Sequence, residues 1–295
     1  MHPRQTLSYL RDLLISHGIS PRTKLGQNFL IDLNIFDLIV RTAQVNINDL
    51  ILEVGTGTGS LTARLAECSR AVLSVEVDAA FHSLAKELIP DMENVTLVHM
   101  DVLKNKNRLN PDWLAHVDAM RSKHPNSTLK LVANLPYAVA TPVIANLLIS
   151  EYPVESMVVT VQWEIAQRLI AKPGSKEYAA LAVLVQSLAD VKLVRKLPPS
   201  VFWPRPQVDS AIVAIHPNAE KRQRVPDVVH YRNFLRDLYV HRRKNLRSVL
   251  STLPGTDRSK QDVDVLLKPL ELDGTGRAQE LSIEDHLRLC EAFTR

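Results

Sequence analysis

Apolar residues recur along the chain with two different periods. Short solid runs that end in a glycine or an acid read as buried parallel strands. Runs with apolar residues three and four apart read as helices. Residues 6–18 have helical spacing and stop at Gly18. A basic, turn-rich stretch follows, Ser20-Pro21-Arg22-Thr23-Lys24-Leu25-Gly26-Gln27-Asn28-Phe29-Leu30. A helix over about 33–43 carries Ile35, Leu38 and Ile39 on its apolar side. Strands are predicted at 50–54, 71–77, 95–100, 129–133 and 156–162. Helices fall between them at 60–68, with Ser60 as its cap, at 79–88 and at 142–149. Residues 105–128 read as polar and irregular, with one helix around 113–120. Alternation of this kind implies a mostly parallel, doubly wound sheet.

The texture changes after residues 166–170. Residues 172–178 read as a loop, 179–189 as a helix, and 208–216 as a strand. Between the last two, residues 197–206 hold four of the 17 prolines. Residues 217–227 are polar and charged, a boundary, and from Val228 onward the pattern is all-helical. The fold class is therefore α/β: a Rossmann-like sheet domain over 1–217 and a smaller all-helical C-terminal domain over 228–295.

Composition adds limits. The chain has 295 residues, 45% hydrophobic and 23% charged, which excludes a disordered, collagen-like or coiled-coil protein. Cys68 and Cys290 stand far apart and give neither a disulfide framework nor a zinc site, which fits a reducing compartment. No metal is expected. No apolar run approaches the ~18–20 residues of a membrane span. Arg4, Arg11 and Asp12 interrupt the start too early for a signal peptide. A soluble, cytoplasmic protein without a membrane partner is the expectation.

Charge points toward a partner. Lys and Arg number 36 against 32 Asp and Glu, a net +4. Residues 1–194 carry 18 basic and 19 acidic residues, and 195–295 carry 18 and 13. The surplus thus sits in the C-terminal part, as in proteins that bind polyanions. At 100° per residue, Arg232, Arg236, Arg243 and Arg247 on one helix over 231–250 fall within about 60° of each other. Such a stripe suits phosphate contacts. Arg242 points into the apolar arc of the same helix and reads as a semi-buried structural residue.

The candidate chemistry lies at the strand ends. Gly55-x-Gly57-x-Gly59 connects a buried strand to a helix, where the backbone can pass close to a ligand. The six-residue dinucleotide fingerprint is absent. Glu76 ends the second strand and can accept hydrogen bonds from ribose hydroxyls, while Asp101 ends the third at the same edge. Either acid could instead cap the following helix. Together they outline a nucleoside pocket. Asn134-Leu135-Pro136-Tyr137 follows the fourth strand and resembles the turn of amino-methyltransferases that act on a planar ring amine. The Asn134 side-chain oxygen and the Leu135 carbonyl can hold both amine protons. Pro136 stiffens the turn, and Tyr137 offers a face for base stacking.

Further motifs extend the resemblance along nearly the whole chain. They are 25–30 before the sheet, Glu53-Val54-Gly55-x-Gly57-x-Gly59, Val75-Glu76-Val77-Asp78 and the Asn134 turn. Lys172-Pro173-Gly174-Ser175-Lys176-x-Tyr178 follows, then Pro198-Pro199-Ser200-x-Phe202-x-Pro204-x-Pro206-x-Val208-Asp209-Ser210. Arg242-Arg243-Lys244-x-Leu246-Arg247 and Arg277-Ala278-x-Glu280-Leu281-Ser282 complete the set. The chain resembles the KsgA/RsmA-type ribosomal RNA small-subunit adenine dimethyltransferase family. The resemblance implies S-adenosyl-L-methionine as methyl donor, with contacts from Asn28, Leu30, Gly55, Glu76, Asp101 and Asn134. It implies dimethylation of two adjacent adenosines in a hairpin loop near the 3′ end of small-subunit rRNA, during ribosome biogenesis. It also implies that Phe202 sandwiches the target base opposite Tyr137 after base flipping. Small-subunit rRNA or a pre-ribosomal particle is the expected partner, and the enzyme is expected to act as a monomer.

Thr56, Ala138, Trp163 and His241 depart from the family pattern, which expects Pro, Asn, Lys and Gln there; none removes a catalytic group. Three other readings compete. A nicotinamide oxidoreductase leaves the Asn134 turn unexplained. A non-catalytic RNA-binding assembly or transcription factor of the same fold would be expected to lose Gly55, Glu76, Asp101 or Asn134. A methyltransferase of large-subunit RNA fits the Phe202 loop less well.

Overall fold

The computed structural model describes residues 7–22, 26–89, 92–255 and 258–294. Thr23, Lys24 and Leu25 of the N-terminal stretch lie outside the described residues, as does Thr6 at the start of the first helix.

Seven strands form the main sheet: β1 (Asp49–Val54), β2 (Ala71–Glu76), β3 (Val95–His99), β4 (Thr128–Asn134), β5 (Val154–Gln162), β6 (Ala189–Leu197) and β7 (Ser210–Pro217). Their order is β3-β2-β1-β4-β5-β7-β6. The first five are parallel, and β7 runs antiparallel to β5. Every residue of β1 and β2 is buried, so these strands need apolar side chains on both faces. The chain reverses its winding direction between β1 and β4. That switch point opens a crevice at the carboxyl ends of the strands.

The connections are α1 (Leu7–Ser16), α2 (Leu33–Thr42), α3 (Ser60–Ala66), α4 (Ala79–Leu88), α5 (Pro111–Lys123), α6 (Ala140–Ile149), α7 (Trp163–Leu169) and α8 (Ala180–Gln186). The rest is helical: α9 (Ala219–Gln223), α10 (Val228–Val240), α11 (Leu246–Leu250), α12 (Lys260–Leu267) and α13 (Ile283–Thr294). Among the described residues, no helix is long and apolar enough to cross a membrane.

Contacts divide the chain into Met1–Ala166 with Lys192–His216, and Gln167–Val191 with Pro217–Arg295. This grouping differs from a single cut between 217 and 228. Residues 167–191 join the helical unit because α8 packs on α10. The buried Ser187 and Tyr231 hydroxyls also bond at 3.0 Å.

Four local expectations are corrected. Ser60 is the first helical residue rather than the cap; Gly59 occupies the cap at φ 78° with no side-chain bond. Residues 105–128 are mostly ordered. A hairpin of Leu103–Asn105 with Arg108–Leu109 precedes α5, which Asn110 caps with Pro111 in its first turn. The helix expected at 179–189 ends at Gln186, and β6 follows as an edge strand. The single helix over 231–250 is two helices, because α10 ends at His241 and Asn245 caps α11.

The amino end of the sheet holds a buried charge pair. Lys130 on β4 donates to Asp49 Oδ2 on β1 at 2.9 Å, with side chains 5% and 1% exposed. Its remaining protons reach the Ala43 and Gln44 carbonyls at 3.3 and 3.2 Å. Removing one partner strands a buried charge. Lys130→Met is expected to lower unfolding free energy by about 3 kcal/mol or more, measured in urea. Adding Asp49→Asn should recover part of that loss. An unchanged midpoint for the single variant would contradict the pair's role.

Candidate active site

The carboxyl ends of β1, β2 and β4 and the Asp101 turn after β3 surround one cavity. It is lined by Asn28, Leu30, Gly55, Glu76, Asp101, Asn134, Leu135, Pro136 and Tyr137. All the expected cofactor residues therefore meet, together with the whole Asn134 turn.

The glycine loop is shaped by two close approaches. Gly55 has φ +88°, and a Cβ there would stand 2.9 Å from Pro136 Cγ. Gly57 has φ +56°, and a Cβ there would stand 3.0 Å from the Phe29 ring. Neither position tolerates a side chain without displacing its neighbour. The Gly57 N–H donates to Glu76 Oε2 at 2.9 Å, and the Asp78 N–H to Oε1 at 3.0 Å. The carboxylate keeps acceptor capacity for a ligand hydroxyl beyond these backbone bonds. Burial raises the Glu76 carboxyl above its usual range, and these backbone donors oppose the shift. Asp78, not Glu76, caps α4. Asp101 is exposed at the rim, and its Oδ1 accepts the Leu103 N–H at 2.9 Å.

The turn after β4 is held from three sides. Asn134 Nδ2 donates to the Asn28 carbonyl at 3.0 Å. That bond fixes the amide so that Oδ1 is the end left for a ligand. Helix α6 begins on the Pro136 carbonyl, which accepts from Val139 and Ala140. The Leu135 carbonyl is thus not consumed by the helix start. The Tyr137 hydroxyl bonds Ser210 Oγ at 2.6 Å, and burial raises its pKa. Gln27 links this corner to α4: its Nε2 donates to Asp78 at 3.2 Å and its Oε1 accepts the Arg22 N–H at 2.6 Å.

Phe202, expected opposite Tyr137, is not among the residues that line this cavity. It pairs with Leu30 in a two-residue antiparallel ladder, and its side chain is 1% exposed. Both residues enter the same apolar cluster with Ile35, Phe36 and Ile39. Strand alternation sends Phe202 inward and its neighbour Trp203 to the other face.

The arginine stripe is also corrected. With the helix broken, Arg232 and Arg236 lie on α10, Arg243 in the turn, and Arg247 on α11. Arg236 pairs with Asp237 at 2.9 Å and Arg247 with Asp264 at 2.6 Å. Arg242, expected to be semi-buried, is exposed together with Arg243 and Lys244.

Glu53 opens the glycine-loop motif, but the sequence alone gives it no role of its own. It is 1% exposed, lines the cavity and accepts from Thr62 Oγ1 at 2.5 Å. The Ser74 hydroxyl, which also bonds Glu53, contacts Thr56 Oγ1 at 2.6 Å. An acid at the end of an apolar strand was the available signal. Burial, the largest cause, pushes the Glu53 carboxyl from 4.5 to about 7. The folded chain then keeps a proton that the unfolded chain gives up, so stability falls as pH rises from about 4.5 to about 7. Glu53→Gln should flatten that part of the pH–stability curve in denaturant titrations. A variant curve that still falls as the wild type does would contradict the raised carboxyl.

The sequence model of the family described as Ribosomal RNA adenine dimethylase matches residues 18–294. Ribosomal RNA small subunit methyltransferase A of Ligilactobacillus salivarius is 35% identical over 97% of this chain and 94% of its own length. The fold is similar to a dimethyladenosine transferase from Plasmodium falciparum, with TM-score 0.70 and 24% identity over 88% of this chain and 95% of that one. It is also similar to the 23S rRNA methyltransferase ErmE, with TM-score 0.62 and 23% identity over 91% and 100%. With this match across nearly its whole length, and with the glycine loop and the Asn134 turn lining one cavity, the chain belongs to the ribosomal RNA adenine dimethylase family.

Proposed function

We propose that this rRNA adenine methyltransferase dimethylates the N6 amines of two adjacent adenosines in a hairpin loop near the 3′ end of small-subunit rRNA. The observation that carries the reading is the fixed Asn134 amide. Its NH2 donates to the Asn28 carbonyl, which favours Oδ1 as the ligand acceptor, and Asn134, Leu135 and Tyr137 line one cavity. The 35% identity to a small-subunit enzyme along nearly the full length supports the choice of subunit.

The cavity fits S-adenosyl-L-methionine, the methyl donor general to such enzymes. Glu76 holds acceptors for its ribose hydroxyls, and Asp101 lies toward its base. Asn28, Leu30 and the Gly55 turn border its amino-acid part. When bound, that cofactor supplies an activated sulfonium methyl, so the protein contributes positioning and electrostatics. The adenine amine is a weak nucleophile because its lone pair is delocalised into the ring. Asn134 Oδ1 and the Leu135 carbonyl accept its two protons and favour a pyramidal nitrogen. The lone pair then points out of the ring plane, toward the donor. Tyr137 stacks on the flipped base, with its ring orientation set by Ser210. The substrate, naked RNA or a pre-ribosomal particle, is also contacted by exposed Arg243 and its neighbours Arg242 and Lys244. The enzyme acts as a monomer in the cytoplasm.

Asn134→Ala is expected to lower turnover about a hundredfold or more, with a much smaller change in S-adenosylmethionine affinity. Tyr137→Ala should lose about 1–3 kcal/mol of stacking, and Tyr137→Phe should keep most of it. Transfer of labelled methyl to undermethylated small subunits measures each. Near-normal rates for Asn134→Ala and Tyr137→Ala would overturn the amine clamp.

A further inference from the structure

The hairpin of Leu103–Asn105 and Arg108–Leu109 begins at the cavity wall, since Asp101 and Val102 both line the cavity. Lys104, Lys106 and Arg108 are exposed on it, and no acid occurs between residues 102 and 111. Among the described residues, no ion pair neutralises any of the three. Lys196, by contrast, pairs with Asp209 at 2.7 Å and Lys221 with Asp190 at 2.8 Å. Three unmatched like charges on one short ribbon repel each other and favour an anionic partner.

The ribbon is also braced. Asn110 donates through its backbone to the Val102 carbonyl at 2.8 Å and through Nδ2 to the Asp101 carbonyl at 2.9 Å. Asn146 on α6, 4% exposed, donates Nδ2 to the Lys106 carbonyl at 3.1 Å. A buried amide is thus spent on holding the ribbon that carries the cations. Charges that served solubility alone would need no fixed ribbon, whereas phosphate contacts set the register of a nucleic-acid strand.

We infer that the 103–109 hairpin grips the RNA backbone beside the target adenosine, a role that rests on the reaction proposed above. Lys104, Lys106 and Arg108 are the phosphate ligands. Asn110 and Asn146 are positioning residues that act through the hairpin backbone. Because the hairpin starts from the Asp101 turn, the grip is anchored to the wall of the methyl-donor cavity.

The test uses the full chain and the triple variant Lys104→Gln/Lys106→Gln/Arg108→Gln. Binding to undermethylated small subunits and to a loop-adenosine hairpin RNA is measured from 50 to 200 mM salt. Methyl transfer and S-adenosylmethionine affinity are measured in parallel. Each phosphate contact contributes about 0.7–0.9 to the log–log salt slope. The variant slope should therefore be smaller by about 2–3, with cofactor affinity within twofold of wild type. KM for RNA should rise while saturated turnover holds. An unchanged slope with normal methylation by the wild type would overturn the hairpin's role alone. Absence of methylation by the wild type would overturn the reaction itself, and the binding slope would still decide the hairpin.

Discussion

A Cβ on Gly55 would stand 2.9 Å from Pro136 Cγ, and the active corner is organised around that approach. β1 and β4 are neighbours at the switch point of the sheet. Their exits carry the glycine loop and the Asn134 turn. The two turns approach so closely there that a side chain on Gly55 would have to displace Pro136. Asn134 then reaches Asn28, which adds the N-terminal segment to the same corner. The Tyr137–Ser210 bond adds β7. The groups that surround the donor and those that hold the acceptor amine therefore share one rigid support. A methyl transfer that depends on alignment needs this more than it needs any reactive side chain.

Two buried acids serve this corner. Glu53 is sealed behind the loop among hydroxyls, and burial keeps its proton on to about pH 7. Glu76 lines the cavity. Burial raises both carboxyls, and the Asp78 and Gly57 N–H groups oppose that rise at Glu76. Thr56 fits this arrangement, because its hydroxyl joins Ser74 where the family pattern has a proline.

Much of this was legible in the sequence, for identifiable reasons. The solid apolar runs of β1, β2 and β4 and the order of the motifs located the cavity, because strand ends in such sheets converge by topology. The interaction of Asn134 with Asn28 spans 106 residues, and no local pattern announces it. The burial of Phe202 was not legible because a motif names an aromatic but not which side of a two-residue ladder it takes. The break between α10 and α11 followed from Asn245, a capping residue overshadowed by the regular spacing of the arginines. β6 was missed because an edge strand exposes half of its residues and reads as mixed. Asn110-Pro111, a cap followed by proline, was an available signal for the start of α5 that the irregular look of the segment hid.

The most direct test of the central claim is mass mapping of modified adenosines after the purified chain reacts with S-adenosylmethionine and undermethylated small subunits. The account predicts dimethylation of two adjacent adenosines in one hairpin loop near the 3′ end of the small-subunit RNA. Modification confined to large-subunit RNA, or none at either subunit, would contradict it.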